Sequence, residues 1–120
     1  MSFRPQLLPR IVQRLAALAD ETRIRLLLRL KDGPANVTTL TGELALAQAS
    51  VSKHLAVLRQ AGLVVATRRG NQAIYSVCDR CVFEMCDMIC DGVRRQLRQE
   101  HRMLGLGRPV QVKHKKVSLA

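Results

Sequence analysis

The chain has 120 residues, with no Trp, one Tyr and two Phe. That length sets one domain with a modest core of Leu, Val, Ala and Ile, and lean cores of this size often complete themselves by association. The formal charge of +11 is spread along the chain, about +4 over residues 1–40, +3 over 41–77 and +4 over 78–120. Such a dispersed excess fits a polyanion contacted from several elements, although charge alone leaves a merely soluble basic protein equally open. No stretch approaches the ~18 uncharged apolar residues of a membrane span, and no signal-peptide pattern is visible. A cytoplasmic protein whose four cysteines are reduced thiols is expected, and clustered thiols there point to metal binding or redox sensing.

In chain order, residues 2–6 read as a loose start. Leu8, Ile11, Val12, Leu15, Leu18 and Ala19 then recur with helical period, and Pro9 is tolerated within a first turn. Asp20 stands where an N-cap belongs, followed by Glu21 in a first turn that favours negative charge. Ile24, Leu27, Leu28 and Leu30 are expected to be the buried face of a second helix, with Arg23, Arg25 and Arg29 directed to solvent or a polyanion. Gly33-Pro34 ends it. Thr38 or Thr39 is expected to cap a third helix in which Leu40 and Leu44 point inward, with a short helix over 41–46 just before a tight turn.

The segment from Gln48 to Gly62 is the one around which the chain is organised. Val51, Leu55 and Leu58 line one side of a helix closed by Gly62. Gln48, Ser50, Ser52, Lys53 and Arg59 occupy its other side, all of them able to reach base edges or phosphates and none of them acidic. His54 lies among them and is expected to support the same contact. Two helices so joined read as a helix-turn-helix with its recognition helix. Next come two segments rich in β-branched residues, 63–68 and 72–77, separated by a Gly-Asn turn signal, which predict a β-hairpin. Arg68, Arg69, Asn71 and Gln72 at its tip suit phosphates or a minor groove, and a hairpin directly after a recognition helix is a wing. A solvated basic tip is the plainer alternative for any one of these residues.

Residues 79–104 are expected to form the last helix. Val82, Met85, Cys86, Met88, Ile89, Cys90, Val93 and Leu97 cover an arc of roughly 220° on it, against ~100° for a helix lying on a monomer. The surplus implies a homodimer joined through the first and last helices, with Gly92 permitting close approach, and two recognition helices could then read half-sites about one turn apart. The fold class expected is mainly α with a β-hairpin wing, a winged helix-turn-helix over residues 1–104, followed by a basic, disordered tail over 105–120.

Cys78, Cys81, Cys86 and Cys90 are the candidate ligands for a soft metal or metalloid such as As(III), Sb(III), Cd(II), Zn(II) or Cu(I). Cys78 and Cys81 bracket the junction of the wing with the last helix, where the helix dipole and Arg80 would favour a thiolate. Cys86 and Cys90 are one turn apart, a spacing that lets both sulfurs reach one ion. Cys81 projects opposite Cys90, so four sulfurs on one ion need the helix start to unwind or a ligand from a partner. Oxidation to a disulfide or persulfide is an equally physical switch, and packing alone explains Cys86 and Cys90 as readily. His101 and His114 are weaker ligand candidates. No nucleophile–base constellation, phosphate-binding loop or carboxylate pair points to an enzyme. A constitutive DNA-binding regulator and a metal-buffering protein are the remaining alternatives.

The runs 15–27 (LAALADETRIRLL), 50–64 (SVSKHLAVLRQAGLV) and 69–75 (RGNQAIY) together resemble the ArsR/SmtB family of winged-helix repressors, in register over about residues 10–100. The resemblance implies a homodimeric transcriptional repressor that leaves its operator when a metal, metalloid or other thiol-reactive inducer binds. The Cys-Val-Cys segment by which some members sense arsenite corresponds here to Asn36-Val37-Thr38, so that site is absent. Of the two ligand pairs of the members that sense zinc through the last helix, Asp79 and Cys81 occupy the first. The second falls at Gly92 and Arg95, and arginine is no ligand for a cation.

Overall fold

Helix periodicity, capping and turn chemistry produce five helices and a small sheet in this computed structural model, which describes residues 4–105. The expected basic tail from residue 106, His114 included, lies outside the described residues. After a 3-10 turn at Pro5–Leu7 come α1 (Leu8–Leu18) and α2 (Glu21–Lys31). Next are a two-residue strand β1 (Ala35–Asn36), α3 (Val37–Leu44) and α4 (Gln48–Gln60), then β2 (Val64–Arg69), β3 (Gln72–Val77) and α5 (Cys81–Met103). Residues up to Arg80 form one unit and those from Cys81 another.

In the first unit the core is aliphatic. Leu26, Leu27 and Leu30 of α2, Leu40 of α3, Val51, Leu55 and Leu58 of α4, and Leu63 and Val64 leading into the wing are all buried. Leu26 is sealed completely while Ile24 is only half-buried, so the inner face of α2 is rotated by part of a turn from the one its leucine spacing suggests. Helix α2 packs on α3, α4 and β3, while α1 touches α2 and α4. At roughly 25 cal/mol per Å² of apolar surface removed from water, each of these leucines contributes on the order of 2 kcal/mol.

Asp20 caps α2 as the sequence predicts, its carboxylate accepting the backbone N–H of Arg23 at 3.0 Å. Helix α3 departs from expectation. Its cap is Asn36, whose side-chain oxygen accepts the Thr39 N–H at 2.7 Å, rather than Thr38 or Thr39, so the helix starts at Val37 and ends at Leu44. An aspartyl or asparaginyl oxygen is the better acceptor for this role, and here it stands just ahead of the threonine pair. The turn into α4 passes through Ala45 in the left-handed region (φ 54°), a conformation that costs an alanine about 1 kcal/mol.

The end of α4 is a Schellman motif. Leu63 N–H bonds to the Leu58 carbonyl and Gly62 N–H to that of Arg59, both at 3.0 Å, with Gly62 at φ +79°. The hairpin pairs Val64 with Val77 through to Arg69 with Gln72, leaving Gly70 and Asn71 as a two-residue turn. Gly70 has φ +58° and Asn71 does not enter the positive-φ region, which matches a II′ turn. Sequence patterning predicts no strand at Ala35–Asn36, but these two residues pair antiparallel with Tyr75 and Ile74 to make the sheet order β1-β3-β2.

In the second unit, α5 starts at Cys81, two residues later than its polarity pattern suggests, and ends at Met103. Val82 and Phe83 are buried, whereas Met88 is 70% and Ile89 60% exposed, with Val93 and Leu97 also open. Among the described residues no helix is long and apolar enough to cross a membrane.

Candidate nucleic-acid interface

From residue 44 to residue 78 the chain carries no Asp or Glu, while Lys53, Arg59, Arg68 and Arg69 all fall within it. The structure turns this acid-free run into α4 and the hairpin. Gln48, Ser52, Lys53 and Arg59 on α4 are exposed, and Ser50 is half-buried. Arg68, Arg69, Asn71 and Gln72 are all exposed around the hairpin turn. Gln72 is partly committed, since its Oε1 accepts from Asn36 Nδ2 at 2.9 Å, which leaves its amide N–H groups to donate outward.

Of the three arginines of α2, only Arg25 stands open. Arg23 has a side chain 16% exposed and turns back onto the end of α1, its Nε donating to the Ala17 carbonyl at 2.7 Å and Nη2 to that of Ala16 at 3.2 Å. Those are last-turn carbonyls, where a cation is favoured. Its Nη1 donates to His54 Nδ1 at 3.2 Å, and Asp20 lies 3.8 Å from the same guanidinium. His54, half-buried on α4, is therefore tied to α2 by one edge of its ring. The Asp20 carboxyl is held below its usual value of 3.8, first by the hydrogen bond from the Arg23 backbone N–H and then by the Arg23 guanidinium, with desolvation opposing as the second-largest influence. Arg29 is paired with Glu43 and donates to the Gly33 carbonyl, so it fastens α2 to α3. Capping and pairing roles of this kind depend on chain reversals that residue spacing does not reveal.

A second arginine, Arg14 of α1, reaches the other end of α4. It donates to the Ala61 carbonyl at 3.3 Å and pairs with Asp79 at 2.9 Å. The adjacent Cys78 lies not at a helix N-terminus but in the segment between β3 and α5. Its N–H donates to the Leu63 carbonyl at 3.1 Å and its thiol to the Gly62 carbonyl at 2.9 Å. One short stretch, Cys78-Asp79, thus grips the C-terminus of the recognition helix from two sides.

All four cysteines are outside any disulfide, with Cys78 and Cys81 exposed and Cys86 and Cys90 half-buried. Burial, and secondarily the neighbouring Asp87, pushes the Cys86 thiol up, so it stays protonated and a poor nucleophile. Among the described residues no three His, Cys, Asp or Glu side chains are grouped to hold a metal ion.

Residues 20–65 match the model described as the bacterial regulatory protein, arsR family. Over 96 residues the chain is 36% identical to the HTH-type transcriptional regulator NmtR of Mycobacterium tuberculosis, covering 80% of this chain and 75% of NmtR. The chain belongs to the ArsR/SmtB family. It is also 48% identical over 63 residues to the regulator CmtR of Mycobacterium bovis, a match covering 52% of this chain and 53% of CmtR. Its winged helix-turn-helix is similar to the structure of HlyU from Vibrio cholerae, with a TM-score of 0.63 at 30% identity, covering 72% of this chain and 94% of HlyU. As an ArsR/SmtB-type regulator it carries the helix-turn-helix across α3 and α4 and the wing across β2 and β3.

Proposed function

We propose that this ArsR-family chain is a homodimeric, operator-binding transcriptional repressor that leaves DNA when a thiol-reactive inducer occupies its cysteines. The observation that carries the reading is the Cys78 thiol bonded to the Gly62 carbonyl, which puts an exposed sulfur in contact with the residue that closes the recognition helix. While protonated, the thiol donates and holds that turn. Losing the proton, by ligation or by oxidation, leaves a sulfur with only lone pairs opposite a carbonyl oxygen, and the contact becomes repulsive. Gly62 and Leu63 must then separate from Cys78, and the recognition helix shifts with them.

Lys53, Arg59, Arg68 and Arg69 supply phosphate contacts, while Gln48, Ser50, Ser52, His54, Asn71 and Gln72 supply donors and acceptors for base edges. The apolar residues left open on α1 (Leu8, Val12, Leu15) and on α5 (Met88, Ile89, Val93, Leu97) support association of two copies through these helices. Cys78 and Cys81 are the accessible thiols, and Cys86 and Cys90 would join them once α5 is disturbed or a second protomer contributes sulfur. As(III), Sb(III), Cd(II) and Zn(II) all suit such donors.

Band shifts on operator duplex, with arsenite, Cd(II), Zn(II) and peroxide added in turn, test the proposal. Cys78→Ser keeps a hydroxyl donor for Gly62, so binding to DNA is expected within about threefold of the unaltered protein while release by inducer is lost. Release that persists after all four cysteines become serine would reject thiol sensing and leave a regulator whose cysteines only pack.

A further inference from the structure

The Arg23–His54 contact fixes a proton. A guanidinium carries only N–H donors and is never deprotonated in a protein, so at 3.2 Å from Arg23 Nη1 the His54 Nδ1 can only be an acceptor. Asp20, the other charged group on that edge, lies 3.9 Å from Nδ1, beyond hydrogen-bond reach, and does not compete for a proton there. The ring proton of neutral His54 is thereby placed on Nε2. That nitrogen has no hydrogen-bond partner among the described residues, yet no buried side-chain nitrogen is left unpaired, so Nε2 meets solvent. The His54 side chain is 19% exposed, and its neighbour Lys53 and the preceding-turn Ser50 belong to the reading surface of α4.

We propose that Arg23 is a positioning residue for DNA recognition, holding His54 as the Nε2–H tautomer so that α4 presents a rigid, neutral hydrogen-bond donor to an acceptor on the duplex. The acceptor is a phosphate oxygen or the O6/N7 edge of guanine, which share this chemistry. Arg23 is suited to the task because its other two nitrogens are anchored on the Ala16 and Ala17 carbonyls, so the imidazole is registered against the fixed end of α1. Lysine could not reproduce this, since a single ammonium lacks the planar fork that spans three acceptors.

The inference rests on the DNA-binding reading, and the test separates the two. Long-range ¹H–¹⁵N spectra of the full-length protein are expected to show His54 with Nε2 protonated and Nδ1 bare; the opposite tautomer overturns the proposal. In duplex binding, His54→Gln, whose amide N–H reaches a similar place, is expected to stay within about threefold, whereas His54→Leu loses about tenfold. Arg23→Lys is expected to lose several-fold affinity with unchanged helical content, and that loss should vanish in a His54→Leu background. Additive losses would mean that Arg23 acts only on the fold and would overturn the proposal. The bound acceptor is read from specificity: a uniform loss over operator and scrambled duplexes assigns a phosphate, and a loss confined to the operator assigns a base. Failure of the unaltered protein to bind any duplex overturns the regulator reading and this proposal together.

Discussion

Ala45 shows how a single position can hold a motif open. A left-handed alanine costs about 1 kcal/mol, and glycine would relieve it at the expense of about 0.4–1 kcal/mol of unfolded-state entropy. Ala45→Gly is therefore expected to be neutral or stabilising by up to about 1 kcal/mol, and Ala45→Val to destabilise by more than about 1 kcal/mol, both read from urea unfolding midpoints. Nothing in the run Leu44-Ala45-Leu46-Ala47 announces this turn, because alanine has no preference for the left-handed region. Asp20 gives a second residue-scale expectation. Its carboxyl titrates lower in the folded chain than in the unfolded one, so its contribution is complete above about pH 4 and disappears as the pH falls through the depressed value. Asp20→Asn keeps a capping oxygen but not the charge. The difference in unfolding midpoint between the two proteins is thus expected near pH 7 and should shrink once the pH falls below the ordinary carboxylate range, vanishing below the depressed value.

At the scale of elements, the recognition helix and the wing were legible because each rests on a local rule. The period of Val51, Leu55 and Leu58 marks a helix, Gly62 marks its stop, and Gly-Asn between β-branched runs marks a hairpin. The Schellman geometry makes the stop testable. A Cβ on Gly62 would sit 3.0 Å from the Arg14 guanidinium as well as in the left-handed region. Gly62→Ala is expected to cost about 1–2 kcal/mol in urea unfolding and to weaken the Arg14 clamp on Ala61. What escaped the sequence is what is made by contacts between elements. The strand Ala35–Asn36 is too short to show alternation, and it exists because β3 offers it an edge. Arg14 and Arg23 look like surface charges until the ends of α4 and α1 are brought beside them. The thiols divide on the same ground. Exposed Cys78 and Cys81 are expected to be alkylated by iodoacetamide before Cys86, whose burial keeps it protonated, in a time course followed by mass spectrometry.

For the whole molecule, the net charge overstates what a duplex would meet. Arg14, Arg23 and Arg29 are engaged with carbonyls and carboxylates inside the fold, so on the proposed reading Lys53, Arg59, Arg68 and Arg69 of α4 and the wing are the cations expected to meet phosphates. Arg69→Ala is expected to weaken all duplexes alike and to reduce the dependence of log affinity on log salt by about one unit for each phosphate left unneutralised. The proposed association has an equally direct check. Val93→Glu on α5, or Val12→Glu on α1, places a charge on an open apolar stripe, and sedimentation at micromolar concentration is expected to show a monomer that binds operator at least about tenfold more weakly.

Asn36 belongs to two devices at once, starting α3 with its oxygen and steadying Gln72 with its nitrogen. The wing is for that reason tied to the first turn of α3, through this amide and through the pairing of Asn36 with Ile74. A leucine at this position would unhitch the two, and the protein would then tolerate operators in which the stretch lying under the hairpin is shifted relative to the bases beneath α4. If the proposed reading holds, this amide, beside the pairing of Asn36 with Ile74, helps set how far apart those two halves of a recognition sequence lie.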